Sequence, residues 1–197
     1  MEIIEAAERV FAGKGYYNAR MEDIAREAAY APASLYSYFK SKEEIFTSIL
    51  EVRFSELLER LESDKTAEAD FPDNLRHVVD EFTKFGRQYR HFLRILFSLH
   101  ITGEAPKRDN AFICESLEVF DFYIGILERT VAKGIAQGKV KTTDANHLAF
   151  LLHGMMIGTF AKHIIKNDEE GLSEGELFRY KETILEVFLK GAMKNGA

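Results

Sequence analysis

With 197 residues, 46% of them hydrophobic, the chain can bury one sizeable core or two small ones. Its net charge of −6 argues against a protein that coats nucleic acid generally, but leaves room for a small, local DNA-reading surface. A lone cysteine, Cys114, excludes an internal disulfide and fits a reducing cytoplasm.

Helical spacing runs through the chain, and strand-like alternation is hard to find. Ile3, Ile4, Ala7, Val10 and Phe11 form a first stripe, closed by Gly13 and Gly15. Met21, Ile24, Ala25 and Ala28 form a second, shorter one. Pro32 opens a third helix at its first turn, where a missing N–H costs nothing, with Leu35 and Phe39 as its inward pair. Ser41 is the expected N-cap of a fourth helix over 42–61, and Glu44 completes a capping box. After the polar "ESDKTAEAD" a helix restarts at Pro72 and another runs through Leu99. "TGEAPKRDN" is a loop, and helices follow over about 110–137, 145–166 and 174–190. The expected fold is all-α with about nine helices. A three-helix unit over 1–46 precedes a larger helical body over 47–197, and the helix from Lys42 joins them.

Two short helices joined by a tight turn and braced by a third make a helix-turn-helix. The second of the pair enters the major groove with its N-terminal residues towards base edges. The composition here suits that role, since acids are absent from Ala31 to Lys42 in an otherwise acidic chain. Small residues let the backbone approach the groove floor. The hydroxyls of Ser34, Tyr36 and Tyr38 can donate to phosphates, and Lys40 and Lys42 add charge. Such contacts position the protein without reading sequence. The N-terminus of the fourth helix offers further N–H donors to a phosphate. Pro32, Ala33, Ser34 and Ser37 face the groove, and none can make a bidentate pair with guanine or adenine. Contacts to thymine methyls and shape readout are expected instead, with Tyr30 adding an aromatic contact.

The stretch "IIEAAERVFAGKGYYNARMEDIAREAAYAPASLYSYFKSKEEIF", and within it the run L-Y-x-Y-F-x-S-K-E-E-x-F, resembles the N-terminal domain of the TetR family of bacterial transcription regulators. The rest of the chain shows a compatible helix order. The resemblance implies a homodimeric, ligand-responsive regulator, a repressor on a palindromic operator. Its larger domain would bind a small effector and set the spacing of the two reading heads. Three departures stand out. Ala29 occupies the turn where the family has glycine, and basic residues before the first helix are missing. Arg20 replaces a serine or threonine, which exchanges a hydroxyl-to-phosphate contact for a charge-assisted one.

The body is rich in aromatics. Phe85, Phe92, Phe112, Tyr123 and Met155 are the candidates for an apolar effector pocket, chiefly on the strength of the resemblance. Gly154 and Gly158 would let a partner helix approach closely, and apolar residues including Ile184 and Phe188 wrap most of the last helix. A helix apolar almost all round needs cover on more than one side, so a second subunit is expected there. The six histidines include no i, i+4 metal pair, Cys114 lacks a motif for nucleophilic or metal chemistry, and no phosphate-cradling glycine loop appears. Neither catalysis, metal nor cofactor is therefore expected. The opening "MEIIEAAERV" has acids where a signal peptide has bases. The longest apolar run, 148–161, is broken by His153 and two glycines and falls short of the roughly 20 residues a bilayer needs. The expected partners are duplex DNA, a small apolar effector and a second copy of the chain, with no membrane. A helical interaction protein of the same fold, acting through protein partners with weakened DNA contacts, is the alternative favoured by the acidic total, Ala29 and the missing basic residues at the start.

Overall fold

The computed structural model describes residues 2–62, 69–101, 111–141, 144–165 and 172–193, with side chains except at 98–101, 111–119 and 164–165. Among these residues the chain forms α1 (Glu2–Lys14), α2 (Met21–Glu27), α3 (Pro32–Tyr38), α4 (Lys42–Leu61), α5 (Phe71–Gln88), α6 (Arg90–Ile101), α7 (Ala111–Ala136), α8 (Ala145–Ile165) and α9 (Glu174–Ala192). The only strand-like pairing among them is an isolated bridge between Val140 and Met193.

Two compact units divide these elements differently from a cut at residue 46. The first comprises Met1–Ser55 with Tyr89–Val119, the second Glu56–Gln88 with Phe120–Ala197. The boundary therefore falls inside α4, and α6 groups with the first three helices. A physical reason is size: about 46 residues bury too little apolar surface to be robust alone. In the first unit α1 packs against both α2 and α6. Its core gathers Ile4, Ala7, Val10 and Phe11 from α1, Ile24 from α2, Leu35 from α3, and Phe46, Ile49 and Phe54 from α4. The α6 residues Phe92, Leu93 and Ile95 are also buried, with the Phe92 ring edge-on to Phe54 at 5.4 Å.

In the second unit, α5 buries Phe71, Leu75, Val78, Phe82 and Phe85 at helical spacing and packs on α8 and α9. The Phe71 ring fits against Gly134 so tightly that a Cβ there would lie 2.6 Å from it, so no larger residue is tolerated without rearrangement. Ser173 caps α9 with a full capping box to Glu176, whose carboxyl the serine hydroxyl holds below its usual range. Among the described residues no helix is long and apolar enough to cross a membrane.

Candidate nucleic-acid interface

The surface starts from a turn. After α2 the chain closes a Schellman motif: the Tyr30 N–H donates to Ala25 O at 2.8 Å and the Ala29 N–H to Arg26 O at 3.2 Å. That motif requires a left-handed residue, and Ala29 supplies it with φ +58°, a conformation strained for a residue with a Cβ. Pro32 then opens α3, and Leu35 is the sole α3 residue buried, at 0% exposure. Phe39, its expected inward companion, ends the helix in an extended conformation and is only half-buried.

Everything else on α3 faces outward. Pro32, Ala33, Ser34, Ser37, Tyr36 and Tyr38 are exposed, the two tyrosines at 47% and 63%. The Tyr30 and Tyr38 rings meet edge to face at 6.2 Å, so Tyr30 braces Tyr38 and is itself half-buried. Ser37 Oγ donates to Ser34 O at 2.6 Å, which takes up its proton and leaves its oxygen as an acceptor.

The cations separate into two kinds. Arg20 and Lys40 are exposed, and neither side chain has an ion-pair partner among the described residues. Asp23, three residues from Arg20, is otherwise engaged. Asp23 pairs with Lys14 at 2.7 Å and with Arg26, and the Lys14 hydrogen bond holds its carboxyl below the usual range. A second Asp23 oxygen accepts the Arg20 N–H at 3.2 Å, capping α2. Lys42 differs from the expectation of a phosphate ligand. Its ammonium donates to the carbonyls of Tyr16, Tyr17 and Ala19 at 3.0, 3.1 and 3.3 Å and lies 4.8 Å from the Tyr16 ring. Those acceptors match its three protons, so Lys42 staples the α1–α2 loop to α4. At the N-terminus of α4 the expected capping pair forms. Ser41 Oγ accepts from the Glu44 N–H at 3.3 Å, while the Glu44 carboxylate accepts from the Lys40 N–H at 2.6 Å. Tyr17, which has no place among the sequence candidates, is an exposed ring beside this staple. Nothing in its local pattern distinguishes it from the buried Tyr16.

The five effector candidates do not converge on one described cavity. Tyr123 and Phe85 are buried in the second unit. The Tyr123 ring stacks on Phe82 at 5.8 Å, and its hydroxyl lies 3.3 Å from His153 Nδ1. Burial pushes the Tyr123 hydroxyl well above its ordinary range, so it stays protonated. Met155 is half-buried, Phe92 belongs to the other unit, and the Phe112 side chain lies outside the described residues. The second unit instead opens a cleft of about 390 Å³ lined by residues that include Glu62, Asn74, Arg129, Thr130 and Lys133. Asn74 is buried and its Oδ1 has no hydrogen-bond partner among the described residues. Scattered charges along amphipathic helices give no sign of this cleft in the sequence.

The expected dimer residues also part company. Gly154 and Gly158 lie exposed on α8 with open space where a side chain would be. Ile184 and Phe188 are buried within the chain, because that side of α9 packs on α5 and α8. Among the described side chains, the exposed large apolar residues of these two helices are Phe150 and Leu151 on α8 and Phe178 and Val187 on α9.

Residues 3–49 match the model of the bacterial regulatory proteins, tetR family. The chain is 27% identical over 196 residues to the fatty acid metabolism regulator protein of Bacillus subtilis (strain 168), covering 97% of this chain and 94% of that one. It is 30% identical over 148 residues to the HTH-type transcriptional repressor NicS of Pseudomonas putida, covering 73% of this chain and 68% of that one. The crystal structure of the regulator FadR from Bacillus subtilis in complex with stearoyl-CoA shares the fold. Its TM-score is 0.78 at 24% identity, with 97% of this chain and 98% of that chain covered. An outward-facing α3 anchored only by Leu35, a matching head and a repressor relative aligned over more than two thirds of each chain lead to one assignment: the chain belongs to the TetR family of DNA-binding bacterial transcription regulators.

Proposed function

We propose that this regulator represses as a homodimer, each copy placing α3 in the major groove of one half of a palindromic operator, and that an acyl thioester of coenzyme A releases it. The observation that carries the DNA-reading half is the exposed face of α3. Pro32, Ala33 and Ser34 meet the groove floor, Tyr36, Tyr38, Arg20 and Lys40 hold phosphates, and Tyr17 adds a hydroxyl from the α1–α2 loop. Lys42 acts here through the backbone it staples. Pairing uses the exposed stripe of α8, namely Phe150, Leu151, Gly154 and Gly158, with Phe178 and Val187 of α9.

The effector class rests on the two Bacillus likenesses, a fatty acid metabolism regulator and a fold neighbour holding stearoyl-CoA. The cleft of the second unit suits part of such a ligand. Lys133, with Arg129 if it exchanges its 2.9 Å pairing to Glu62 for a ligand phosphate, brings positive charge to the cleft, and the Asn74 oxygen can accept from an amide N–H. At about 390 Å³ it is small for a whole acyl-CoA, so it would hold only the polar arm. Release follows if the thioester binds the DNA-incompetent arrangement more tightly than the competent one.

Selection of bound duplex from a random pool, followed by fluorescence anisotropy with stearoyl-CoA, stearate or coenzyme A alone, tests both halves. A palindrome should be recovered, and of the three ligands only stearoyl-CoA should weaken binding, by about tenfold or more. Failure to enrich any sequence at low salt would instead favour the interaction protein. Enrichment without a response to stearoyl-CoA would remove the effector assignment only.

A further inference from the structure

We infer that Glu8, Arg53 and Tyr89 form a pin that sets the orientation of the reading head, and so act as positioning residues for operator recognition. Arg53 Nε and Nη2 grip the Glu8 carboxylate at 2.6 and 3.2 Å, with the two side chains only 2% and 6% exposed. The guanidinium carbon lies 4.0 Å from the centre of the Tyr89 ring. All three residues belong to the first compact unit.

Their places in the chain give the pin its meaning. Glu8 sits on α1, which braces the helix-turn-helix. Arg53 lies on α4 just before the chain passes from the first unit to the second at Ser55 and Glu56. Tyr89 is the residue at which the chain re-enters the first unit, between α5 and α6. One guanidinium thus ties the head helix to both crossing points. Stability alone is a poor explanation, since burying two charges sacrifices hydration that well-packed apolar side chains would not need. What an ion pair offers and apolar packing does not is direction. The bidentate bonds fix how far α1 can slide or turn along α4, and the aromatic ring limits the guanidinium's freedom. In the same unit the Phe54–Phe92 ring pair joins α4 to α6 by apolar contact, which resists separation but tolerates sliding.

Head orientation matters only if two heads must fit one duplex, so the inference rests on the dimeric reading above. The full-length protein and its variants would be titrated onto the selected palindrome and onto the same duplex with one base pair inserted at its centre. The readout is the ratio of the two dissociation constants, which a merely stabilising role would not move. A single Glu8→Gln substitution strands a buried Arg53 and invites misfolding, so the pair is replaced together, Glu8→Leu with Arg53→Met. This variant should fold, with a thermal midpoint no lower than the parent. Its spacing ratio should drop about tenfold, within the range for groups sharing one network. Tyr89→Leu, which leaves the ion pair intact, should lower the ratio about threefold, a smaller share of the same network coupling, and decides the matter if the double variant fails to fold. An unchanged ratio in the folded double variant, or in Tyr89→Leu where that arm decides, overturns the pin. If the parent protein itself ignores the insertion, the dimeric reading falls and the pin falls with it.

Discussion

Helices α3 and α8 both turn a face away from their own core, and the two faces are opposite in kind. On α3 the outward residues are small or hydroxylic, and Arg20 and Lys40, without an ion-pair partner among the described residues, flank the helix. On α8 the outward stripe is Phe150, Leu151, Gly154 and Gly158, apolar and stripped of side chain at its centre. The first suits a polyanion whose backbone must approach closely. The second suits another helix, because burying rings against water-free neighbours is what an apolar stripe gains from association. The difference shows that exposure alone says little; the chemistry of the exposed face says which partner completes it.

The largest test of that contrast compares Phe188 with Leu151. Both are apolar and both lie on the last two helices, yet Phe188 is buried inside the protomer and Leu151 is 62% exposed. Phe188→Ala should cost about 3–5 kcal/mol of unfolding free energy, measured in urea, through a cavity in the core. Leu151→Arg should leave the fold intact but sediment at monomer mass, and operator affinity should fall about 100-fold or more as the two heads lose their linkage. A Leu151→Arg protein that still sediments as a dimer would place the pairing face elsewhere.

The charges around α3 come next. Arg20→Ala and Lys40→Ala should each weaken binding to all duplexes by a similar factor and reduce the salt slope by about one unit. Lys42→Ala should behave differently. Its ammonium is engaged with the carbonyls of Tyr16, Tyr17 and Ala19, so its removal should lower the thermal midpoint and leave the salt slope near that of the parent. If Lys42→Ala changes the slope as much as Lys40→Ala does, the staple is secondary to a phosphate contact.

Lys42 also marks the limit of what the sequence discloses. Local features are readable: the proline that opens α3, Leu35 as its anchor, and Ser41 with Glu44 at the start of α4 all follow from neighbours a few residues apart. The all-helical fold follows from periodicity over each segment. Features that depend on where distant chain returns are not readable. The carbonyls that take up Lys42 lie more than twenty residues upstream, at Tyr16, Tyr17 and Ala19. Periodicity places Ile184 and Phe188 on one side of α9, but does not say that this side is the one already covered by α5 and α8. Likewise, nothing local to Phe92 announces that α6 packs beside α1, nor does Asn74 signal a buried oxygen at a cleft.

The smallest effect concerns how each face is held. α8 contributes Ala149, Leu152, Met156, Thr159 and Phe160 to the interior along its length, whereas α3 depends on Leu35 and on the turn before it. That turn carries Ala29 at φ +58°, on the exposed surface. Ala29→Gly should therefore relieve the left-handed strain and stabilise the protein by about 1 kcal/mol. The thermal midpoint should rise by about 2–4 °C for a chain of this size. Because glycine also frees the turn in the unbound protein, operator affinity should stay within about twofold of the parent, the gain in fold offset by a less fixed α3. A lower midpoint would mean that the methyl group at position 29 holds α3 in place, and α3 would then be anchored more like α8 than its single buried leucine suggests.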